Sequence, residues 1–568
     1  MLTLRRRSLV RVCFLAITGL AICYLFSSSS TSSVNEIRKH NVLEMVAGDD
    51  TLDVRRHKFL RSRMGRDERE DMMSSIIRNG VDDYWERFQY PYMVGKDTAT
   101  MDAQSVMTSI EQLLSLNGWV AALCPTLTRP FGQNTLDSAY DDLASKGRLY
   151  YIAIVIHSAD HFLVDQLAVI VQLAKRLGPS NLFVSMLDYD STDSTETLTD
   201  LSEAVLILLG VPYRIRRVPG MTADPAEAYY PLEEAYTRNL ALEPLQELYE
   251  RRQIKFHRAI WLKGFTCPND ILETIKVSEA NDAAMVCGMD WAEHNGFFIF
   301  SDRWRTRDIN GDQFRQSKSS SKPDAVPPRD KNGAARYSQY LPFQVFCCEA
   351  GTHVVDPAQS YYTGITYRAG TDYHNLSSSD TAAIRVPDAS CLDSSQAWFC
   401  RDLWLHQARE GMSHPDAEEN SGRVRRKRDL ADGAFRKDAH RQAAEGDPDA
   451  NAGSDYDAMP DSDVETEAPL PSTKLSIPNS AFRPARILVN PRCVTTYAGV
   501  SHTQLARDLF GSEEHMSGLD GVAKYVLEDW EGAPESFVCQ EQRQTGGRKA
   551  TKTQRRLGFS IHDELQSI

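Results

Sequence analysis

Apolar and polar positions follow two periods through the middle of this chain. Tyr150–Ile156 (YYIAIVI) is an unbroken apolar run of strand length, and Leu182–Leu187 is a second, broken only by Ser185. Runs without alternation suit strands covered on both faces. Between them, Phe162–Leu177 shows apolar residues at helical spacing, closed by Gly178-Pro179. After the second run, Leu198, Leu201, Val205 and Leu208 recur at spacings of three and four until Gly210 stops them. Tyr213–Val218, Arg258–Leu262 and Ala283–Met289 read as further strands. Glu233–Arg252 reads as a helix that Pro244 either interrupts or restarts. Strands alternating with helices predict an α/β fold, a Rossmann-type, mainly parallel sheet.

The second run delivers Asp188, Asp190 and Asp193 just where the helical period begins. These acids sit where a buried strand turns into a helix, the edge at which open α/β sheets bind ligands. A helix start also offers free backbone N–H groups to phosphate. Many nucleotide-sugar transferases carry a similar acidic turn there. Asp193 also suits an N-cap with Glu196 as its capping-box partner. Capping does not account for Asp188 and Asp190, two like charges in D-x-D spacing that repel unless solvated or shared by a cation. They are the candidate metal ligands, for Mn²⁺ or Mg²⁺.

Composition sets the setting. The chain has 568 residues and a net charge of −14. A nucleic-acid partner needs basic surface and is not expected. The mean hydropathy is negative, too polar for a multispan membrane protein. Arg5, Arg6, Arg7 and Arg11 precede or enter an apolar run, Val12–Phe26, with no small-x-small cleavage site near its end. The expectation is a cytosolic tail (1–8) and a single-pass anchor (9–26), with the rest luminal. A cleaved signal is the alternative. The short run suits the thinner bilayers of the Golgi or ER membrane. Residues 27–145 read as a stem and helical lead-in, with helix around Asp102–Leu116. The transferase-like domain runs over 146–410. An acidic, aromatic-poor insertion, 411–480, is expected to be disordered. The domain resumes over 481–540 through the strand-like Arg486–Thr496, and 541–568 reads as an unfolded tail. Nine of eleven cysteines lie beyond the anchor, so some should pair in an oxidising lumen, Cys391 with Cys400 as a local loop. Asn375-Leu376-Ser377 is a glycosylation sequon.

Sugar transfer from a nucleotide diphosphate needs the leaving diphosphate neutralised, which a carboxylate-held cation does. Asp290 ends the run Ala283–Met289 and is followed by Trp291, an aromatic suited to stacking on sugar or base. A strand-end cap is its plainer role. Glu349 follows the apolar Phe343–Cys348, and a buried Glu of raised pKa would act on an acceptor hydroxyl. Asp290 and Glu349 are the catalytic candidates; a surface Glu is the alternative for the second. Asp302, Arg303, Arg307 and Asp308 surround Trp304, either as a solvated face or as arginines for diphosphate. Lys263, after Ala259–Leu262, offers a point charge to phosphate or is a solvated strand end.

Several motifs together resemble the fungal capsule-associated α-1,3-mannosyltransferase family, glycosyltransferase family 69. They are YIAIVIHSADHF with LFVSMLDYDSTDST, Tyr236-x-Arg238-Asn239-x-Ala241-Leu242-x-Pro244-Leu245, and Ala259–Leu272 (AIWLKGFTCPNDIL). Further on come Cys287-Gly288-Met289-Asp290-Trp291, Asp302-Arg303-Trp304-x-x-Arg307-Asp308-x-x-Gly311, and Cys400-Arg401-Asp402-Leu403-Trp404. The resemblance covers about 150–405, with the strand near Val489 completing it. It implies a GT-A-like fold, a divalent metal, GDP-mannose as donor, a glycan acceptor and retention of configuration. It assigns His157, Asp188, Asp190, Arg238, Lys263, Arg303 and Arg307 to the donor. The family pattern has an Asn-Asp pair where this chain has Lys263-Gly264, and a Glu near Ser395 where this chain has none. A non-catalytic luminal homologue or assembly subunit is therefore the rival reading. A glycoside hydrolase with paired carboxylates is a third.

Overall fold

The structure is a computed structural model. It describes residues 65–66, 124, 140–193, 195–222, 224, 227–294, 297–302, 305–314, 327–349, 351–370, 391–413, 477–496, 502, 505–506, 509, 522–542, 545–547 and 550–567. The expected anchor, most of the stem, the sequon, Arg303 and most of the acidic insertion lie outside these residues. Among the described residues no helix is long and apolar enough to cross a membrane.

A short strand β1 (Gly65–Arg66) precedes the main unit. There follow α1 (Asp141–Ser145), β2 (Tyr150–Ile156), α2 (Asp160–Leu177), β3 (Leu182–Tyr189), α3 (Thr195–Leu209), β4 (Tyr213–Val218) and α4 (Tyr230–Arg252). Next are β5 (Arg258–Trp261), β6 (Phe265–Thr266), α5 (Pro268–Ala280), β7 (Met285–His294), β8 (Phe297–Phe300) and β9 (Arg307–Asp308). Then come α6 (Lys331–Tyr337), β10 (Phe343–Cys347), β11 (His353–Val355) and α7 (Ser395–Ser413). The chain ends with β12 (Ile487–Thr496), β13 (Ser536–Glu541), β14 (Thr553–Gly558) and α8 (Ile561–Ser567).

The central sheet has the order β1-β4-β3-β2-β5-β11-β7-β12-β10-β9. Strands β1, β4, β3, β2 and β5 run parallel. β11 lies antiparallel between β5 and β7, and β12 runs parallel to β7. Alternate residues of β2 and β3 point to opposite faces. Tyr150, Ile152, Ile154, Val184 and Met186 pack with Leu163, Ile170 and Leu206 of α2 and α3. Tyr151, Ala153, Phe183 and Leu187 pack with Ala241, Leu242 and Leu245 of α4. Each such buried large apolar side chain contributes roughly 1.5–3 kcal/mol. Pro244 does not break α4, which runs through it to Arg252. The Tyr151 hydroxyl donates to Ala241 O in the preceding turn at 2.6 Å.

β12 sits inside the sheet, between β7 and β10. The chain that leaves at the end of α7 thus returns to the middle of the same sheet. Two expectations are corrected. Cys391 does not pair with Cys400: the disulfides are Cys124–Cys267, Cys287–Cys348, Cys347–Cys400 and Cys391–Cys539. Cys400 lies on the face of α7 that packs on β10, where Cys347 ends the strand, so the nearer cysteine in sequence is not the nearer in space. The stretch after Cys539 is folded: β13 and β14 pair antiparallel, and Phe559 and Ile561 are buried in the core. A few apolar side chains anchor an otherwise polar tail, with Phe346 packed against Phe537 and Phe559 at 5.3 and 5.7 Å.

Candidate active site

β2 is followed by β3 and then β4 on one side, after which the chain crosses to β5 on the other side of β2. That reversal falls between β2 and β5, and the carboxyl ends of strands at such a switch point are the usual ligand position in open sheets. His157 follows β2 and Lys263 follows β5, so the two flank it. Asp188 and Asp190 lie one strand away, at the end of β3. Lys263 N donates to Thr352 Oγ1 at 3.2 Å, and Gly288 N donates to Thr352 O at 2.9 Å. These bonds bring the segment before β11, with Glu349, and the middle of β7, with Asp290, to the same edge.

On the β3 side the acidic pair separates. Asp188 stands opposite Arg217 in the parallel register of β3 and β4, and Arg217 Nε donates to its Oδ2 at 3.2 Å. Arg217 also donates to Glu196, so Glu196 serves this ion pair and not the expected cap of α3. Asp188 is buried, and its Oδ1 has no hydrogen-bond partner. Asp190 adopts a left-handed backbone (φ 50°) and turns out of the strand, exposed, beside Gly220. Arg217 and solvent thus relieve the repulsion between the two acids.

Around Asp190 the polar groups are tied to one another. His157 Nδ1 donates to Tyr189 O at 2.8 Å. A carbonyl only accepts, so Nδ1 carries the proton and Nε2 is the nitrogen left over at this edge of the sheet. The Tyr189 hydroxyl accepts from Met221 N at 2.8 Å. Burial pushes the nearby Glu233 carboxyl up, against hydrogen bonds from Tyr189 and Thr222 and with the charge of Asp190 beside it. Ser158 N and Ala159 N donate to Ser191 Oγ and Thr195 Oγ1 at 2.8 and 2.7 Å. Thr195 N donates to Asp193 Oδ1 at 3.0 Å, so Asp193 holds the start of α3. Asp193→Ala should cost about 1 kcal/mol, read by chemical denaturation, with turnover little changed.

On the β5 side stands a buried charge cluster that the sequence left scattered. Glu349 Oε1 accepts from Lys263 Nζ at 3.2 Å and from the guanidinium groups of Arg238 and Arg305. Glu234 Oε1 also accepts from Arg238 and Arg305, at 3.2 and 2.9 Å. Its Oε2 accepts from Ser395 Oγ at 2.8 Å, so Glu234 supplies a carboxylate beside Ser395. Arg238 lies over the rings of Tyr367 and Trp261, at 4.9 and 5.9 Å. Burial opposes the charge on Glu349, but Arg305, Lys263 and Arg238 outweigh it and hold the carboxyl well below the usual range. A Glu of raised pKa was expected here; three cations on one oxygen reverse the sign. The raised group is Asp302, half-buried, whose carboxyl burial and Glu349 push up to about 6.

The other expected residues fall as follows. Asp290 does not end its strand as expected: β7 continues to His294 in pairing with β8, and Asp290 is buried in mid-strand opposite Thr495 of β12. Trp291 is buried against Phe300 at 6.0 Å and presents no face for stacking. Arg307 is buried away from this edge of the sheet, donating to Asp393 Oδ2 at 3.1 Å and Val538 O at 2.6 Å. Arg303 lies outside the described residues. Arg305 and Glu234 were not anticipated. The spacing of Glu234 and Arg238 on one helix was the available signal for half of the cluster. Among the described residues, the groups of three potential metal ligands are Cys267–Asp270–His502 and Cys391–Asp393–Cys539, whose cysteines are in disulfides. At this edge, Asp190 and the unpartnered oxygen of Asp188 are what β3 offers a divalent ion.

A family model described as Cryptococcal mannosyltransferase 1 matches residues 149–386. No curated protein sequence matches the chain. Among solved structures, Staphylococcus aureus TarS 1–349 overlaps 45% of this chain at 8% identity and a TM-score of 0.26. This chain spans 56% of that one. The mannosyltransferase PcManGT from Pyrobaculum calidifontis, described in complex with GDP-Man and Mn²⁺, overlaps 56% of this chain and 76% of its own at 11% identity and a TM-score of 0.24. Overlaps this low decide nothing about activity. The family match covers the reversal of strand order, the acid turn of β3, and Arg238, Lys263 and Glu349 together. Residues 149–386 of this chain are thus similar to the Cryptococcal mannosyltransferase 1 family, and the match supports glycosyl transfer.

Proposed function

We propose that this protein transfers mannose from GDP-mannose to a hydroxyl of a glycan acceptor in the secretory pathway, forming an α-1,3 linkage with retention. The observation that carries this reading is the reversal of strand order between β2 and β5, flanked by His157 and Lys263 and lying inside the family-matched segment. His157 Nε2 and Asp190 face the donor from the β2–β3 side. Asp190 and the unpartnered oxygen of Asp188 are the groups that would hold a divalent ion, Mn²⁺ or Mg²⁺, whose charge would offset that of the leaving diphosphate. Asp290 borders the reacting centre from β7. Asp302 is the carboxyl poised to exchange a proton near neutral pH; Glu349, held ionised, is not. The basic residues before the apolar run Val12–Phe26, read as a signal-anchor, support a luminal position for this domain in the Golgi or ER.

Lys263-Gly264, in place of the family's Asn-Asp, favours a second reading, a non-catalytic homologue within a glycan-building complex. A donor screen separates the two. The purified chain is incubated with each nucleotide-sugar plus Mn²⁺ and scored for hydrolysis or transfer. Turnover of GDP-mannose above every uridine diphosphate sugar is the expected result. Binding of GDP-mannose without turnover of any donor would select the second reading. A chain that neither binds nor turns over a nucleotide-sugar would be no transferase.

A further inference from the structure

We propose that Lys263 and Arg305, organised by Glu349, form a cationic seat for the diphosphate of the donor, so that nucleoside diphosphate binding does not require a divalent cation. The proposal rests on the donor reading above and concerns how this chain meets the diphosphate charge.

Three observations carry it. The first is position: Lys263 follows β5 at the strand-order reversal, where the family pattern has Asn-Asp. The second is that no carboxylate fits in that pair's second place. Gly264 has φ 48°, and a Cβ there would lie 2.5 Å from Thr496 O and 3.2 Å from Thr495 Cγ2. A left-handed backbone against the end of β12 excludes any side chain. The place is filled by a lysine charge and a bare glycine.

The third is the grading of exposure across the cluster. The side chains of Lys263 and Arg305 are 30% and 24% exposed, while those of Arg238 and Glu349 are 7% and 2% exposed. Glu349 therefore lies behind the two outer cations and fixes both through one oxygen. Arg238 buttresses it from below, held in turn by Gln396 Oε1 and Glu234. Three cations meet two carboxylates, Glu349 and Glu234, so one positive charge is left over for a further anion, and it lies toward the outer pair. A lysine meets phosphate as a point charge, and an arginine meets it with a planar fork. Their conformational freedom is already restricted in the unliganded protein, which lowers the ordering cost of binding.

Calorimetric titration of the purified full chain with GDP and with guanosine, each in EDTA and in Mn²⁺, tests this. GDP should bind in EDTA within about threefold of its affinity in Mn²⁺, and more tightly than guanosine in both. Lys263→Met and Arg305→Met should each weaken GDP by about tenfold, leave guanosine unchanged, and leave the melting temperature within a few degrees. Lys263→Arg should restore most of the affinity. If Lys263→Met does not fold, the comparison of EDTA with Mn²⁺ on the native chain decides. GDP binding that appears only with Mn²⁺, or an unchanged Lys263→Met, overturns the seat while the donor reading stands. Failure of both GDP and guanosine to bind in either buffer overturns the two together.

Discussion

Replacing Glu349 by alanine should destabilise the folded chain by about 3–5 kcal/mol, the usual cost of removing one partner of a buried ion pair. The variant leaves Lys263, Arg238 and Arg305 converging on an emptied position. Glu234 still accepts from Arg238 and Arg305, which places the loss toward the lower end. Glu349→Gln keeps the shape and an acceptor oxygen but removes the charge, and should fall between the variant and the native chain. The pH dependence has a defined sign. The folded-state pKa of Glu349 is depressed, so its contribution is complete above the unfolded carboxyl value of about 4.3. It is lost only as pH falls through the folded value, well below that. The contribution of Glu349 itself should be constant from pH 5 to 8 and fade only in strong acid, while the gap between native and alanine chains should narrow somewhat as pH rises through about 6, because Glu349 raises Asp302 to that value and its removal relieves that cost. Equal stability of the two at neutral pH would mean that the cluster is neutralised by water and not by this carboxylate.

Asp190→Asn should reduce the proposed sugar transfer by about 100-fold or more, equivalent to about 2.7 kcal/mol of transition-state stabilisation. Asparagine preserves the size of the side chain and tolerates the left-handed backbone that Asp190 adopts. The side chain is exposed, so stability should stay within about 0.5 kcal/mol of the native chain. Asp188→Asn is the informative partner. It disrupts the buried pair with Arg217, and its effect should appear first as lost stability. Steady-state rates and thermal melts on both variants check this. Full activity in Asp190→Asn would make the exposed acid of this turn a bystander, and the metal would then need other ligands.

Together the two variants divide the site by function. The β3 side offers exposed acid and a histidine nitrogen, whereas the β5 side offers cations backed by a buried acid. On the proposed function, a donor with a neutral sugar at one end and a diphosphate in the middle would meet opposite chemistry on the two walls. Asp302, next to Glu349, has its carboxyl raised to about 6 by burial and by that neighbour.

The order of elements was legible from the residues alone. Tyr150–Ile156 and Tyr213–Val218 are strands with the bounds their apolar runs suggest, and α3 stops at Gly210 as its period does. Such features depend on neighbours within one or two turns of chain, and the side-chain period records them directly. The acid turn of β3 was legible for the same reason. The division of labour between Asp188 and Asp190 was not, because it depends on Arg217 standing in register on the next strand and on the left-handed backbone of Asp190. Glu349 likewise looked like a group to be raised by burial. Its partners, Arg238, Lys263 and Arg305, are brought to it from three other segments of the chain by the packing of α4, β5 and the loop after β8. Disulfide partners and the docking of β14 and α8 belong with these. A cysteine or a phenylalanine shows in sequence that it needs a partner. Which partner it receives is decided by the crossing of distant segments, and that is a property of the folded chain.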